Sequence, residues 1–260
     1  MKKVIEFQES KLTTADLVAR WPGPRIRFED QILKPEFSDA KAKLPEGTCT
    51  IRVLPTIKDS ERWWMPIDAL TYSGGQHAHP RTLDPEANTR SVFDEATDWF
   101  KQQAPKALYT KSTGKGFKLW TSPMAACWLL VTNGGRTDLK LLLASAFPGM
   151  TARQSGLAHQ LKEFVMQHKQ LLNPDAKCAI EMTRSLPQGS KYLETEFKLL
   201  DSDQTLNDCI ADLPSEQIRM VCPIEQTIRK IDQEDEWKLL VKAIGSQWTD
   251  KIRNSSQPIT

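Results

Sequence analysis

Apolar and polar positions change period several times along the chain, and each change marks an element. Residues 48–54 (TCTIRVL) alternate and are β-branched, which predicts a strand that Pro55 ends. Residues 62–72 (RWWMPIDALTY) predict a second strand, with Pro66 inside it marking an edge or a bulge. Residues 124–133 (MAACWLLVTN) predict a largely buried strand. Asn133-Gly134-Gly135-Arg136 is a hairpin turn, and 137–145 return as the partner strand. Two further strands, 176–185 and 191–200, join at Leu186-Pro187-Gln188-Gly189-Ser190. A period near 3.6 predicts helices over 13–21, with Thr13 or Thr14 as N-cap, and over 153–169. Another is predicted over 91–103, where Ser91 is the cap and Val92, Phe93, Ala96, Trp99 and Phe100 form the apolar stripe. Beyond residue 200 the pattern is helical to the end. There Trp237, Leu240, Val241, Ile244, Trp248 and Ile252 share one face of one helix. Residues 22–47 read as an extended arm or loop, 73–90 as a loop, and 111–120 as a flexible basic loop running into a strand.

The order is strand, strand, helix, two or three strands, helix, two strands, helices. It predicts an α+β fold with a mainly β core: an OB-like five-stranded β-barrel with inserted helices and a C-terminal helical segment. The corresponding division is an N-terminal helix and arm (1–44), an OB-like domain (45–205) and a C-terminal helical segment (206–260). No internal repeat or low-complexity tract is visible. No apolar run reaches membrane-spanning length, and the basic start MKKVIEFQESK has no apolar stretch behind it, so no membrane span and no secretory signal are expected. Five widely spread cysteines without CxxC fit free thiols in a reducing compartment, and a cytoplasmic location (the host cytoplasm for a viral protein) is expected.

The net charge of +2 is nearly silent, but its distribution is not. Residues 99–162 carry nine basic side chains and one acid, Asp138, the footprint of a polyanion binder. Aromatics interleave with these cations on the predicted strands. Arg52 sits mid-strand, and Trp63 and Trp64 are consecutive, so a strand would send one to the core and the other to the surface. Tyr72 closes that strand. Lys111, Lys115, Phe117, Lys118 and Trp120 follow, with two glycines that let backbone approach a ligand. Arg136 and Lys140 lie on the central hairpin, and Arg184, Lys191 and Tyr192 on the last one. Cations neutralise phosphates and flat rings stack bases, so this composition suits single-stranded nucleic acid.

The run Gly47-Thr48-Cys49-Thr50-Ile51-Arg52-Val53-Leu54-Pro55 resembles the G-x-x-x-I-R-x-L-P strand of the single-stranded-DNA-binding, helix-destabilising proteins of T-even and related tailed phages. The Trp-rich strand after it is similar, as are Cys127-Trp128-Leu129-Leu130-Val131 and the hairpin 176–200. The similarity spans roughly residues 45–200. The resemblance implies an OB fold whose strands line a cleft, with Arg52, Trp63 or Trp64, and Trp120 in it. It implies single-stranded DNA as partner, replication or recombination proteins as further partners, and binding as a monomer or with weak self-association on DNA. Two departures stand out. That family holds zinc on one His and three Cys, whereas this chain offers only His77 and His79 in the same region, read as loop histidines; no metal and no cofactor are expected. The family also ends in a long acidic tail. Here the acids Asp232-Gln233-Glu234-Asp235-Glu236 lie earlier and mark a helix N-terminus.

Two alternatives are weighed against binding without catalysis. Pro174-Asp175 with Glu196-Phe197-Lys198 resembles the carboxylate–lysine signature of Mg-dependent nucleases, although Glu194, Glu196 and Lys198 also read as a solvated strand face. The tryptophan-bearing stripe 237–252 either docks as core or forms a surface by which a phage accessory protein would bind a host protein.

Overall fold

The computed structural model describes residues 29–30, 32–44, 46–54, 63–72, 75–85, 90–109, 115–150, 155–173, 176, 178–188, 193–201 and 223–256. The helix expected at 13–21 lies outside them. The chain forms two compact units that are each discontinuous in sequence. The first takes residues 1–25, 36–66 and 124–227, and the second 26–35, 67–123 and 228–260.

The first unit is built around strand β2 (Gly47–Leu54). On one side β2 pairs antiparallel with β5 (Leu119–Asn133), whose Met124–Asn133 part belongs to this unit. On the other side it pairs antiparallel with β7 (Cys178–Ser185). β6 (Arg136–Ser145) returns on β5 through Gly134 and Gly135, whose φ of 58° and 78° are the positive values the Asn-Gly-Gly turn predicts. β8 (Glu194–Asp201) returns on β7. The local order is thus β6-β5-β2-β7-β8. Strand alternation puts Cys49, Ile51, Val53, Cys127, Leu129, Val131, Ile180 and Met182 in one core cluster. The helix α2 (Leu157–Gln167) covers this cluster with Leu161 and Val165, and its Phe164 ring lies 5.5 Å from Phe197 of β8. Each fully buried aliphatic of this set contributes about 1.5–3 kcal/mol.

The opposite face of β5 and β6 is also covered: Trp128, Leu130, Leu139 and Leu141 are all buried. Phe37, from the 3-10 turn Pro35–Ala40, meets Trp128 edge-on at 6.4 Å. The arm then runs along β6, where Ala42 N–H donates to the Leu141 carbonyl (2.8 Å) and Lys41 forms a parallel bridge to Leu141. No β6–β8 pair exists among the described residues, so the sheet is open and mainly antiparallel. The α+β expectation with a β core holds at that level. Closure into a barrel does not occur among these residues, because the arm takes the edge of β6 that closure would use.

The second unit contains β1 (Glu29–Asp30), most of β3 (Met65–Tyr72), β4 (Gly75–Ala78), α1 (Val92–Gln103) and the first residues of β5. It also holds α4 (Gln233–Ile244) and α5 (Ser246–Ser256), which follow a short α3 (Ile224–Thr227) in the first unit. β3 and β4 form an antiparallel hairpin, and β1 pairs parallel with β4. The expected loop 73–90 therefore contains a strand, held by hydrogen bonds on both edges. Ser91 caps α1 in a capping box with Asp94, as the sequence predicts. The single helix expected over 237–252 is two helices, because Gly245 (φ 85°) breaks it. Trp237, Leu240, Ile244 and Ile252 are buried with Val92, Phe93, Ala96 and Phe100, while Val241 is exposed. No described helix is long and apolar enough to cross a membrane.

Candidate nucleic-acid interface

Among its described residues the second unit presents an exposed tryptophan beside a half-buried tyrosine, flanked by cations. After α1, Pro105–Ala107 make a 3-10 turn, and Leu108 forms a parallel bridge with Phe117. Phe117 N–H donates to the Ala107 carbonyl (2.7 Å), and Tyr109 N–H donates to the Phe117 carbonyl (2.9 Å). Gly116 makes this crossing possible. Its φ is +108°, and a Cβ there would lie 2.5 Å from the carbonyl carbon and oxygen of Leu108. The half-buried Phe117 ring meets Phe100 at 5.6 Å and Trp248 at 6.2 Å, and Leu119 is buried. With 117 and 119 turned inward, alternation turns Lys118 and Trp120 outward. Trp120 is 40% exposed and lies 5.7 Å from the Tyr109 ring at an interplanar angle of 41°. Lys118 Nζ stands 5.5 Å from the centroid of the same Tyr109 ring, and Lys115 and Lys106 are exposed nearby in sequence. Residues 99–123 hold five lysines and no acid. An exposed indole with an aromatic neighbour and surrounding ammonium groups can stack a base and neutralise phosphates.

The other expected site residues divide by burial. Arg52 is buried, and its guanidinium donates to the Asn173 carbonyl (3.2 Å), so it holds β2 to the turn Lys169–Leu172 instead of facing a cleft. Trp63 and Trp64 precede β3 and do not split across a strand. Trp63 is buried in the core of the first unit, and Trp64 is half-buried beside it, ring centroids 5.5 Å apart, with Lys162 Nζ 5.9 Å from the Trp64 ring. Tyr72 is buried against Phe93 and His77. Arg184 donates to the Leu44 carbonyl (2.8 Å) and serves as a strand-to-arm tie. Arg136, at the tip of the central hairpin, is exposed and donates to Asp138 (3.2 Å), and Lys140 is half-buried on β6. Lys111, Lys191 and Tyr192 lie outside the described residues. The structure thus brings together Lys118 and Trp120 and adds Tyr109, which sequence reading missed. Its only local signal was an aromatic four residues beyond a proline.

His77 and His79 are not loop histidines. They occupy β4 and the residue after it, and both are buried. His77 Nε2–H donates to Glu236 Oε1 (3.1 Å), which also accepts from Ser91 Oγ (2.8 Å), while Glu236 Oε2 accepts from Val92 N–H (2.9 Å). His79 Nε2–H donates to Asp94 Oδ2 (2.7 Å), and its Nδ1 accepts from Arg81 N–H (3.1 Å). The His79 hydrogen bond is the main cause that holds the Asp94 carboxyl below its ordinary value. Ser91, His77 and Glu236 match a nucleophile set in composition only. The hydroxyl donates to the carboxylate and not to the imidazole, and all three groups are buried, with Ser91 and Glu236 accepting from the first amides of α1. Among the described residues no group of three or more His, Cys, Asp or Glu is placed to hold a metal ion.

Of the nuclease-like residues, Asp175 lies outside the described set. Lys198 pairs across strands with Glu181 (3.6 Å), which fits the solvated alternation. Cys49, Cys127 and Cys178 are free and buried, and burial pushes the Cys49 and Cys127 thiols up, so neither is poised as a thiolate. Compared with known proteins, the chain matches no family model, no curated protein and no solved structure.

Proposed function

We propose that this protein binds single-stranded DNA without strong sequence preference, through a surface centred on Trp120, Tyr109, Lys118 and Lys115. On this reading it acts by binding and not by catalysis, protecting strands and melting their secondary structure during replication or recombination, as in a phage. The observation that carries it is the exposed Trp120 beside the half-buried Tyr109, in a 25-residue stretch with five lysines and no acid. Of the described tryptophans, Trp120 is the exposed one; the others are buried or half-buried.

The connectivity of the first unit supports an OB-like reading. Its strands β2, β5, β6, β7 and β8, taken as first to fifth, have the first central between the second and the fourth, hairpins joining second to third and fourth to fifth, and a helix between third and fourth. OB folds bind oligonucleotides with the second and third strands and with the loops after the first and fourth. In this chain the outward face of β5 and β6 is covered by Phe37. The loop after the first strand has grown into residues 55–123, and this insertion carries the aromatic pair.

Tryptophan fluorescence during titration with poly(dT) tests the proposal. Quenching is expected at low salt, with affinity falling steeply as salt rises. Trp120→Ala is expected to remove most of the quench and cost about 1–3 kcal/mol, one stacked base. Lys118→Ala is expected to reduce the salt slope by about 0.7, one phosphate contact on a single strand. Absence of quenching by wild-type protein in low salt overturns the reading.

A further inference from the structure

The C-terminal helix α5 makes no outward apolar face at Trp248. The ring is turned inward, 5.3 Å from Phe100, 5.9 Å from Trp99 and 6.2 Å from Phe117. Its other side is capped by Lys251, whose Nζ stands 5.0 Å from the ring centroid. Phe117 is the residue whose backbone is clamped on both sides, to Ala107 and to Tyr109, and it directly precedes Lys118. Trp248 therefore packs against the ring of the residue whose backbone ties the segment bearing Lys118 and Trp120 to the backbone bearing Tyr109.

We infer that Trp248 is a positioning residue for the nucleic-acid surface: through Phe117 it sets the Trp120–Tyr109 pair, so the C-terminal helices serve DNA binding from within the fold. This inference rests on the proposed single-strand binding. Removing Trp248 removes no lysine and leaves their long side chains free to reach phosphates, so the number of charges neutralised persists while the stacking geometry is lost.

The test is a double-mutant cycle on the full chain with poly(dT). Trp248→Ala is expected to weaken binding about five- to tenfold with the salt slope unchanged, and Trp248→Phe to stay within about twofold of wild type. On a Trp120→Ala background, Trp248→Ala is expected to add less than about twofold, because its effect runs through Trp120. Global loss of structure would instead flatten the salt slope, and a thermal melt monitors it. If the alanine variant melts below assay temperature, Trp248→Leu, which keeps an apolar side chain there, takes its place in the cycle with the same expectations. Wild-type protein that fails to bind poly(dT) defeats the proposed function itself. Wild-type protein that binds and is weakened by Trp120→Ala, while Trp248→Ala binds normally or weakens both backgrounds equally, overturns the positioning role alone.

Discussion

Glu236→Ala should be among the most damaging single substitutions in the second unit. The carboxylate is 2% exposed and accepts three hydrogen bonds, from His77, the Ser91 hydroxyl and the Val92 amide. It sits on the first turn of α4 and reaches the first turn of α1, whose N-terminal dipole favours a negative charge. Alanine would leave three buried donors without an acceptor, each costing about 1–3 kcal/mol in isolation. These costs overlap, because the donors share one cavity and could relax together, so a loss in the lower half of their sum, about 3–5 kcal/mol, is expected. That is a large share of the roughly 5–15 kcal/mol that holds an ordinary domain folded. Glu236→Gln should be milder, about 1–2 kcal/mol, because its carbonyl can keep the Val92 amide while the new NH2 group donates to the rotated serine hydroxyl and to Nε2 of His77 in its other tautomer. Urea unfolding of wild type and both variants, followed by far-UV circular dichroism, measures the two differences. An alanine variant within about 1 kcal/mol of wild type would refute the account of Glu236 as the acceptor joining α4 to α1. A glutamine variant as damaged as alanine would refute the hydrogen-bond explanation specifically.

Three further outcomes follow from other parts of the structure. The His79 bond depresses the Asp94 pKa in the folded state, so its contribution is full above the unfolded value near pH 4 and is lost as pH falls through the native value. The stability gap between wild type and His79→Ala should thus narrow between pH 6 and pH 3, and a constant gap in urea midpoints would contradict this. Arg52→Leu should cost about 1.5–3 kcal/mol through the lost bond to the Asn173 carbonyl yet leave poly(dT) affinity within about twofold; a steep affinity loss in a folded variant would restore Arg52 to a cleft. Gly116→Ala forces a positive φ and a 2.5 Å approach to Leu108, so it should cost about 1–3 kcal/mol and weaken poly(dT) binding, both absent if the loop crossing is not as described.

What could be read from the sequence was local. β2, the hairpin at Gly134–Gly135 and the Ser91-capped helix are encoded by alternation, paired glycines and a cap followed by a 3.6-residue stripe, all within a dozen residues. Arg52 misled because alternation correctly placed it opposite Ile51 but cannot say what covers its own face; here that partner is Asn173, 121 residues away. Trp63 and Trp64 misled for the opposite reason. The strand begins two residues later than their apolarity suggests, at Met65, so no pleat separates them. β4 was unreadable because Gly75, Gln76, His77 and Ala78 have little strand propensity and are held in place by neighbours on both sides. Glu236 read as one acid among several at a helix start, which it is; its inward turn depends on Ser91, 145 residues away. Gly245 was visible in the stripe and should have divided it, since a glycine flanked by helical pattern is a common C-terminal stop.

The open sheet raises a competition that hairpin patterns cannot decide. Joining the third and fifth strands of a five-stranded antiparallel set closes a barrel, and this requires the free edge of the third. In this chain that edge belongs to β6, and its Leu141 carbonyl already accepts from the Ala42 amide at 2.8 Å. For β8 to take that edge, the arm would have to leave, giving up a net hydrogen bond worth about 0.5–1.5 kcal/mol. Phe37 would also lose its contact with Trp128, and a buried phenyl contributes about 1.5–3 kcal/mol. Pairing with β8 would regain hydrogen bonds of the same kind but would supply no ring in place of Phe37, because Phe197 of β8 packs on Phe164. The balance therefore rests on burial and not on hydrogen bonding. It also explains how five strands joined by two hairpins stay an open sheet. The residues that decide it, Phe37 and Ala42, lie upstream of every strand in that set, in a stretch whose polarity and prolines mark it only as a loop.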